Sequence, residues 1–317
     1  MRVIKGLRHL KQLPGGSVVT IGVFDGLHIG HREIIRKVVT AARKTKLTSV
    51  VITFDPHPMK VLKPRLKVPS LISLKHRIKL IETLGVDILA VVKFTRSFSK
   101  ISSEKFVKNI LVGKFRMKQI YLGENFYFGN GAKAGAGILR KLSRNYGFRV
   151  TTVRPVRAGG HIASSSLIRE FILQGKLHEA AGLLGRPVSV LGTVVKGSGI
   201  ARGLGCPTAN INPHHEAIPP RGVYAVMTRL GKRELRGVLN IGFRPTFYSS
   251  RDEEPTVEVH IFGFKGNLYN KDIEVYFVKK IRDEVKFKSK AALIERIKKD
   301  METARRIKVL YKTMRIC

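Results

Sequence analysis

Three features predict an α/β protein of two domains. Apolar strand runs alternate with 3.6-residue helical patterns through residue 185; a strand at Ser17 ends in a glycine-punctuated turn with two histidines; and from Arg186 onward short strands are separated by glycine-rich turns. The first two imply a Rossmann-like domain over 1–185, a mostly parallel sheet with helices on both faces. The third implies a small antiparallel β-barrel with a C-terminal helix over 186–317.

The elements follow in order. Val18, Val19, Ile21 and Val23 read as a buried strand, and after His31 the positions Ile34, Ile35, Val38, Val39 and Ala42 form one helical face. Leu47 to Phe54 is a strand, Ser73 to Leu84 a serine-capped helix, Val86 to Phe94 a strand, Ser103 to Val112 a helix and Gln119 to Gly123 a strand. Ile138 to Tyr146 and Phe148 to Val153 add a helix and a strand, and Ser165 to Gln174 and Leu177 to Leu184 two short helices. The barrel strands are Val188 to Val195, Gly222 to Thr228, Leu235 to Ile241, Thr256 to Phe262 and Ile273 to Lys280. Ser289 caps a last helix whose Leu293, Ile297, Met301 and Ala304 pack on the barrel.

With 317 residues, 43% of them hydrophobic and 26% charged, the chain can bury two cores. No run approaches the roughly 20 apolar residues of a membrane span, and the start lacks the apolar stretch of a signal peptide. Cys206 and Cys317 lie far apart and suit a reducing compartment, so a cytoplasmic protein without membrane contact is expected. Sixty Lys and Arg against 22 Asp and Glu leave a net charge of +38. This surplus attracts polyanions, which makes RNA association a rival reading. It is not the favoured one, because the basic residues are scattered and no aromatic, Arg/Gly-interleaved block accompanies them. The sequence leaves the oligomeric state undefined.

The chemistry concentrates in a few stretches. In SVVTIGVFDGLHIGH, residues 17–31, a helix start offers free N–H groups and a positive dipole to a phosphate. Gly22, Gly26 and Gly30 permit close approach, and His28 and His31, three apart, can both face the anion. Pro56 and Pro58 restrict the loop around His57; Asn125 offers an amide, with Phe126 and Phe128 offering faces for a planar ring. Ser164 and Ser165 put hydroxyls at a helix start, and Arg169 follows one turn in. His28, His57 and Asn125 all fall at the carboxyl ends of strands, where open α/β sheets bind ligands. In the second half, the loop containing Gly197 and Gly199 can wrap phosphates with backbone N–H groups. Thr208 and Asn210 alternate on an extended segment and put two hard oxygens on one side, a donor set suited to Mg²⁺ already holding ATP oxygens. Glu258 is an acid inside a strand pattern.

The motifs G-V-F-D-G-L-H-I-G-H, F-D-P-H-P, G-E-N-F-Y-F-G and S-S-S-L-I-R resemble, in order and spacing, the FAD synthetase domain of bacterial bifunctional riboflavin kinase/FMN adenylyltransferases, within the H-x-G-H nucleotidylyltransferases. Ser166 stands where that family usually has Thr. P-T-A-N at 207–210, G-V-Y-A-V, N-I-G-F-R-P-T-F, V-E-V-H and R-D-E with Phe287 resemble its flavokinase domain. The resemblance implies that His28 and His31 stabilise charge on the α-phosphate of ATP while the FMN phosphate attacks. It further implies that Gly22, Phe24, Asp25, Gly30, Asn125, Ser164, Ser165 and Arg169 hold the nucleotide. His57, Phe126, Phe128 and Arg282 would contact flavin, Thr208 and Asn210 would bind Mg²⁺-ATP, and Glu258 would be the kinase base. The expected protein is therefore a bifunctional enzyme that converts riboflavin to FMN in its second domain and FMN to FAD in its first. Retention of one activity alone, or an RNA-associated protein using the fold, are the alternatives.

Overall fold

The computed structural model describes the chain except residues 8–9, 67, 130, 132–133, 198–205, 215, 244–254, 286 and 309–317. Two compact units are present. The first comprises 1–70 and 74–165, and the second comprises 71–73 and the chain from Ser166.

The first unit is built on six parallel strands in the order β1-β4-β3-β2-β5-β6. They are β1 (Arg2–Lys5), β2 (Ser17–Ile21), β3 (Thr48–Asp55), β4 (Ile88–Lys93), β5 (Met117–Gly123) and β6 (Arg149–Val153). β2 is buried along its whole length and β3 over six of its eight residues, as helices on both faces require. The helices are α1 (Ile29–Thr45), α2 (Pro58–Leu62), α3 (Leu74–Glu82), α4 (Arg96–Ser99), α5 (Ser103–Phe106) and α6 (Ala136–Tyr146). Ile35, Val38, Val39 and Ala42 form the buried face of α1, as the spacing predicts. The chain passes from β2 to β3 on one side and returns to β5 on the other. The crevice at this reversal lies beyond the carboxyl ends of β2 and β5, where a doubly wound sheet takes its ligand.

Three expectations are corrected. Val23 lies outside β2, because Phe24 turns the chain with φ +53° and the Val23 carbonyl is taken by the Thr53 hydroxyl at 2.9 Å instead of a strand. The helix expected over 103–112 becomes a π-helix from Val107 to Val112. β1 escaped the sequence reading because its four residues, two of them charged, carry no apolar run, and only pairing with β4 makes it a strand.

In the second unit, α7 (Ser165–Leu173, its first residue counted with the first unit) and α8 (Leu177–Leu184) precede a closed six-stranded barrel. Its strands are β9 (Ser189–Val195), β10 (Ala209–Asn212), β11 (Gly222–Leu230), β12 (Arg233–Phe243), β13 (Pro255–Ile261) and β14 (Asp272–Arg282), closing in the order β10-β13-β12-β11-β14-β9. Along β13 burial alternates: Val257 and Val259 are in the core, while Glu258 and His260 are half-exposed. The strand periodicity thus delivers an acid to the outer face. The last helix, α9 (Lys290–Arg306), is capped by the Ser289 hydroxyl as expected. Its apolar face divides, with Ala304 buried and the Met301 sulfur 3.7 Å from the Cys206 Sγ, while Leu293 and Ile297 line a cleft.

Candidate active sites

The first site is a cleft of about 450 Å³ at the carboxyl ends of β2, β5 and β6. Its floor is the turn after β2. A single 3₁₀ turn, Asp25–Leu27, contains Gly26 at φ +78° and delivers His28 to the N-cap of α1. The His28 Nδ1 accepts from the His31 backbone N–H at 3.4 Å, and the two imidazoles stack with centroids 3.6 Å apart. The Phe24 ring meets His31 edge-on at 5.2 Å. Gly30 leaves room for the His28 ring, since a Cβ there would stand 3.2 Å from the His28 Cε1. Two imidazoles thus stand together at one helix start, the kind of position that receives an anion.

Burial, then the His28 ring, then the Arg77 guanidinium hold the His31 pKa well below its usual value. His31 is therefore a neutral imidazole near pH 7, and its Nδ1 is buried without a partner among the described residues. The unfolded chain takes up a proton at this position that the folded chain refuses. Stability of this unit is expected to fall as pH drops below about 6.5 and to be unaffected by His31 above it. Unfolding by urea at a series of pH values should show a shallower acid slope in His31→Gln.

Gly22, Phe24, Asp25, Gly30, His28, His31, His57, Asn125, Phe126, Ser164 and Ser165 all line this cleft. The Ser165 hydroxyl donates to the Asp25 carbonyl at 2.8 Å, so it braces the turn from above. Two of the expected residues are placed elsewhere. Phe128 is buried in the core, 6.0 Å from the Phe106 and Phe126 rings, and is not among the residues lining the cleft. Arg169 stands on α7 and is not among the lining residues. Sequence reasoning missed Arg154, which lines the cleft just beyond β6, and the buried Arg77 of α3. A residue following a parallel strand was the available signal for Arg154. Arg77 had none, since a charge on the apolar side of a helix reads as a break in the pattern.

The second unit carries two clefts that share Thr208, of about 280 and 600 Å³. Glu258 is paired with Asn210 of β10 on one side and Asn240 of β12 on the other, so the three stand in a row across the sheet. The Thr208 hydroxyl donates to the Glu258 Oε2 at 3.3 Å. Thr208, Glu258, Asn240, His260 and Arg282 line the smaller cleft together with the apolar Val285, Phe287, Leu293 and Ile297. The larger cleft adds Phe264, Lys265, Asn267 and Tyr269. Asn210 is buried and lines neither; a Cβ on Gly197 would clash with its amide, so Gly197 makes room for this side chain. Gly199 lies outside the described residues.

Arg282 is held by Asp300 of α9, with Nε at 2.9 Å and Nη2 at 2.8 Å from Oδ2, and its guanidinium lies 5.7 Å from the Phe287 ring centroid. Both side chains are mostly buried, at 13% and 5% exposure, and breaking such a pair from one side costs about 3–5 kcal/mol. Asp300→Asn is expected to lower the midpoint of thermal unfolding of the second unit.

Both sites present fixed donors and charge to anions. That is the equipment of enzymes that transfer phosphoryl and nucleotidyl groups, for which positioning and electrostatics supply most of the rate. Comparison with known proteins narrows the class. A family profile described as FAD synthetase matches residues 10–167, and one described as riboflavin kinase matches residues 184–308. A bifunctional riboflavin kinase/FMN adenylyltransferase of Buchnera aphidicola subsp. Schizaphis graminum is 37% identical over 96% of this chain and 98% of its own length. The protein of that name from Escherichia coli K12 is 36% identical over 96% and 97%. The chain belongs to the bifunctional riboflavin kinase/FMN adenylyltransferase family. A crystal structure described as a macrolide-efflux protein from Streptococcus pneumoniae matches over 97% of this chain and all of that one, with TM-score 0.83 and 31% identity. No helix among the described residues here is long and apolar enough to cross a membrane.

Proposed function

We propose that the chain makes FAD in two steps on separate units. The barrel transfers the γ-phosphate of ATP to riboflavin, giving FMN and ADP, and the parallel-sheet unit transfers the AMP of a second ATP to FMN, giving FAD and diphosphate. The observation that carries this reading is the pairing of two dissimilar sites in one chain: a stacked histidine pair at a helix start, and a Thr208–Glu258 pair where two clefts meet.

In the barrel, the apolar cleft beside Phe287, Leu293 and Ile297 suits the flat flavin, and the one carrying Lys265 and Asn267 suits the nucleotide. Glu258 then stands where the terminal ribityl hydroxyl must be deprotonated as it attacks the γ-phosphate. Thr208 and Asn210 offer hard oxygens suited to Mg²⁺ accompanying ATP, which leaves Glu258 to accept the proton, and the ion would neutralise charge on the phosphates. In the other unit, the α1 N–H groups and the His28 and His31 imidazoles donate toward charge developing on the α-phosphate, and Asn125, Ser164 and Arg154 approach from the facing loops. We place the functional boundary at 185/186, just before β9, and the enzyme in the cytoplasm.

The test is direct. Full-length protein incubated with riboflavin, ATP and Mg²⁺ should yield FMN first and FAD later in the chromatogram. Accumulation of FMN without FAD would leave only the kinase; the absence of both would overturn the reading.

A further inference from the structure

Arg77 is 2% exposed and lies on α3, which packs against the 3₁₀ turn Asp25–Leu27. A single nitrogen, Nη1, makes both of its side-chain hydrogen bonds, to the Thr53 Oγ1 and to the Phe54 carbonyl, each at 3.1 Å. Thr53, fully buried on β3, donates its own hydroxyl hydrogen bond to the Val23 carbonyl at 2.9 Å. A chain of two hydrogen bonds therefore runs from α3 into the residue that starts the histidine turn. The Nε is buried with no partner among the described residues.

We propose that Arg77 is a positioning residue for adenylyl transfer, fixing the Val23–His31 turn through Thr53 and holding a buried positive charge behind His31. A neutral donor could make the two bonds to β3. The charge does something further, because burying a guanidinium costs several kcal/mol unless other charges answer it. Asp25, from the turn, and Asp55, from the end of β3, are the carboxylates that face it, and both favour its charged form. His31 faces the same cation from α1. Burial, the neighbouring His28 ring and the guanidinium together keep His31 neutral and a hydrogen-bond donor.

This inference rests on adenylyl transfer at the histidine cleft, so wild-type protein is assayed beside each variant. Wild-type protein that makes no FAD from FMN and ATP would sink that reading, whereas normal wild-type turnover with an unaffected variant sinks only the role of Arg77. In full-length Arg77→Gln, kcat for FAD formation should fall roughly 10–100-fold, as expected for a misplaced reacting group, with KM for ATP changing less. The acid limb of its kcat profile should move to higher pH, because His31 no longer faces the cation. Arg77→Lys, which keeps the charge, should hold the acid limb at its wild-type position. Should Arg77→Gln fail to fold, Thr53→Val decides: it breaks the relay to Val23 and leaves the charge, so kcat should fall about tenfold with the pH profile unmoved. Wild-type kcat in Thr53→Val, or an unshifted profile in folded Arg77→Gln, would overturn the proposal.

Discussion

His31→Ala is expected to abolish FAD formation while FMN formation continues at the wild-type rate. The two activities are assigned to separate units, and the His31 ring belongs to the first, stacked on His28 at 3.6 Å and backed by Phe24. Loss of one preorganised donor at a developing oxyanion costs roughly 10²–10³ in rate. His28→Ala should be as damaging and should loosen the start of α1 as well, because its ring nitrogen caps the His31 N–H. His28→Asn separates the two effects, since it keeps a cap and removes the imidazole. Coupled FMN and FAD yields from one incubation provide the measurement. Parallel loss of both products in folded protein would contradict the assignment of the two sites.

The second large effect is expected at Glu258. Glu258→Gln preserves shape and the row formed with Asn210 and Asn240 but removes the group able to accept a proton, a role typically worth about 10²–10⁴ in rate. FMN production from riboflavin should drop by that factor, while FMN supplied directly should still become FAD. The amide can still accept from the Thr208 hydroxyl, so the barrel should unfold at its wild-type temperature. A kinase rate that does not change would remove Glu258 from the mechanism. A fragment starting at Arg186 should keep the kinase reaction only if the barrel tolerates loss of α7 and α8, whose Ile168, Phe171, Ile172, Leu183 and Leu184 are buried. Comparing it with a fragment from Ser166 measures that contribution.

Much of both sites was legible because the chemistry is local in sequence. A strand, three glycines, H-x-G-H and a helix fall within 17–45, and each residue type has one physical use there: Gly26 for positive φ, Gly30 for the space beside His28, His28 for the cap. Glu258 announced itself as an acid in an apolar alternation, and burial of Val257 and Val259 on either side explains why it faces outward. Phe128 shows the converse. Aromatic residues two apart share a face in an extended segment, but the isolated bridge to Ala134 turns Phe128 into the core and leaves only Phe126 on the cleft.

The sequence by itself determined the two-domain α/β-plus-barrel architecture, the residues at the strand ends and the pair of reactions. Periodicity and short-range spacing encode the architecture and the strand-end residues within single turns of helix or strand, whereas the pair of reactions follows from the resemblance of the motifs to their family. The tertiary structure alone decided what crosses between distant segments: the Arg77–Thr53–Val23 relay, the Arg282–Asp300 pair, the row of Asn210, Glu258 and Asn240, and the neutral state of His31. These depend on strand order and on burial, and neither quantity exists until α3 packs beneath the turn and the barrel closes.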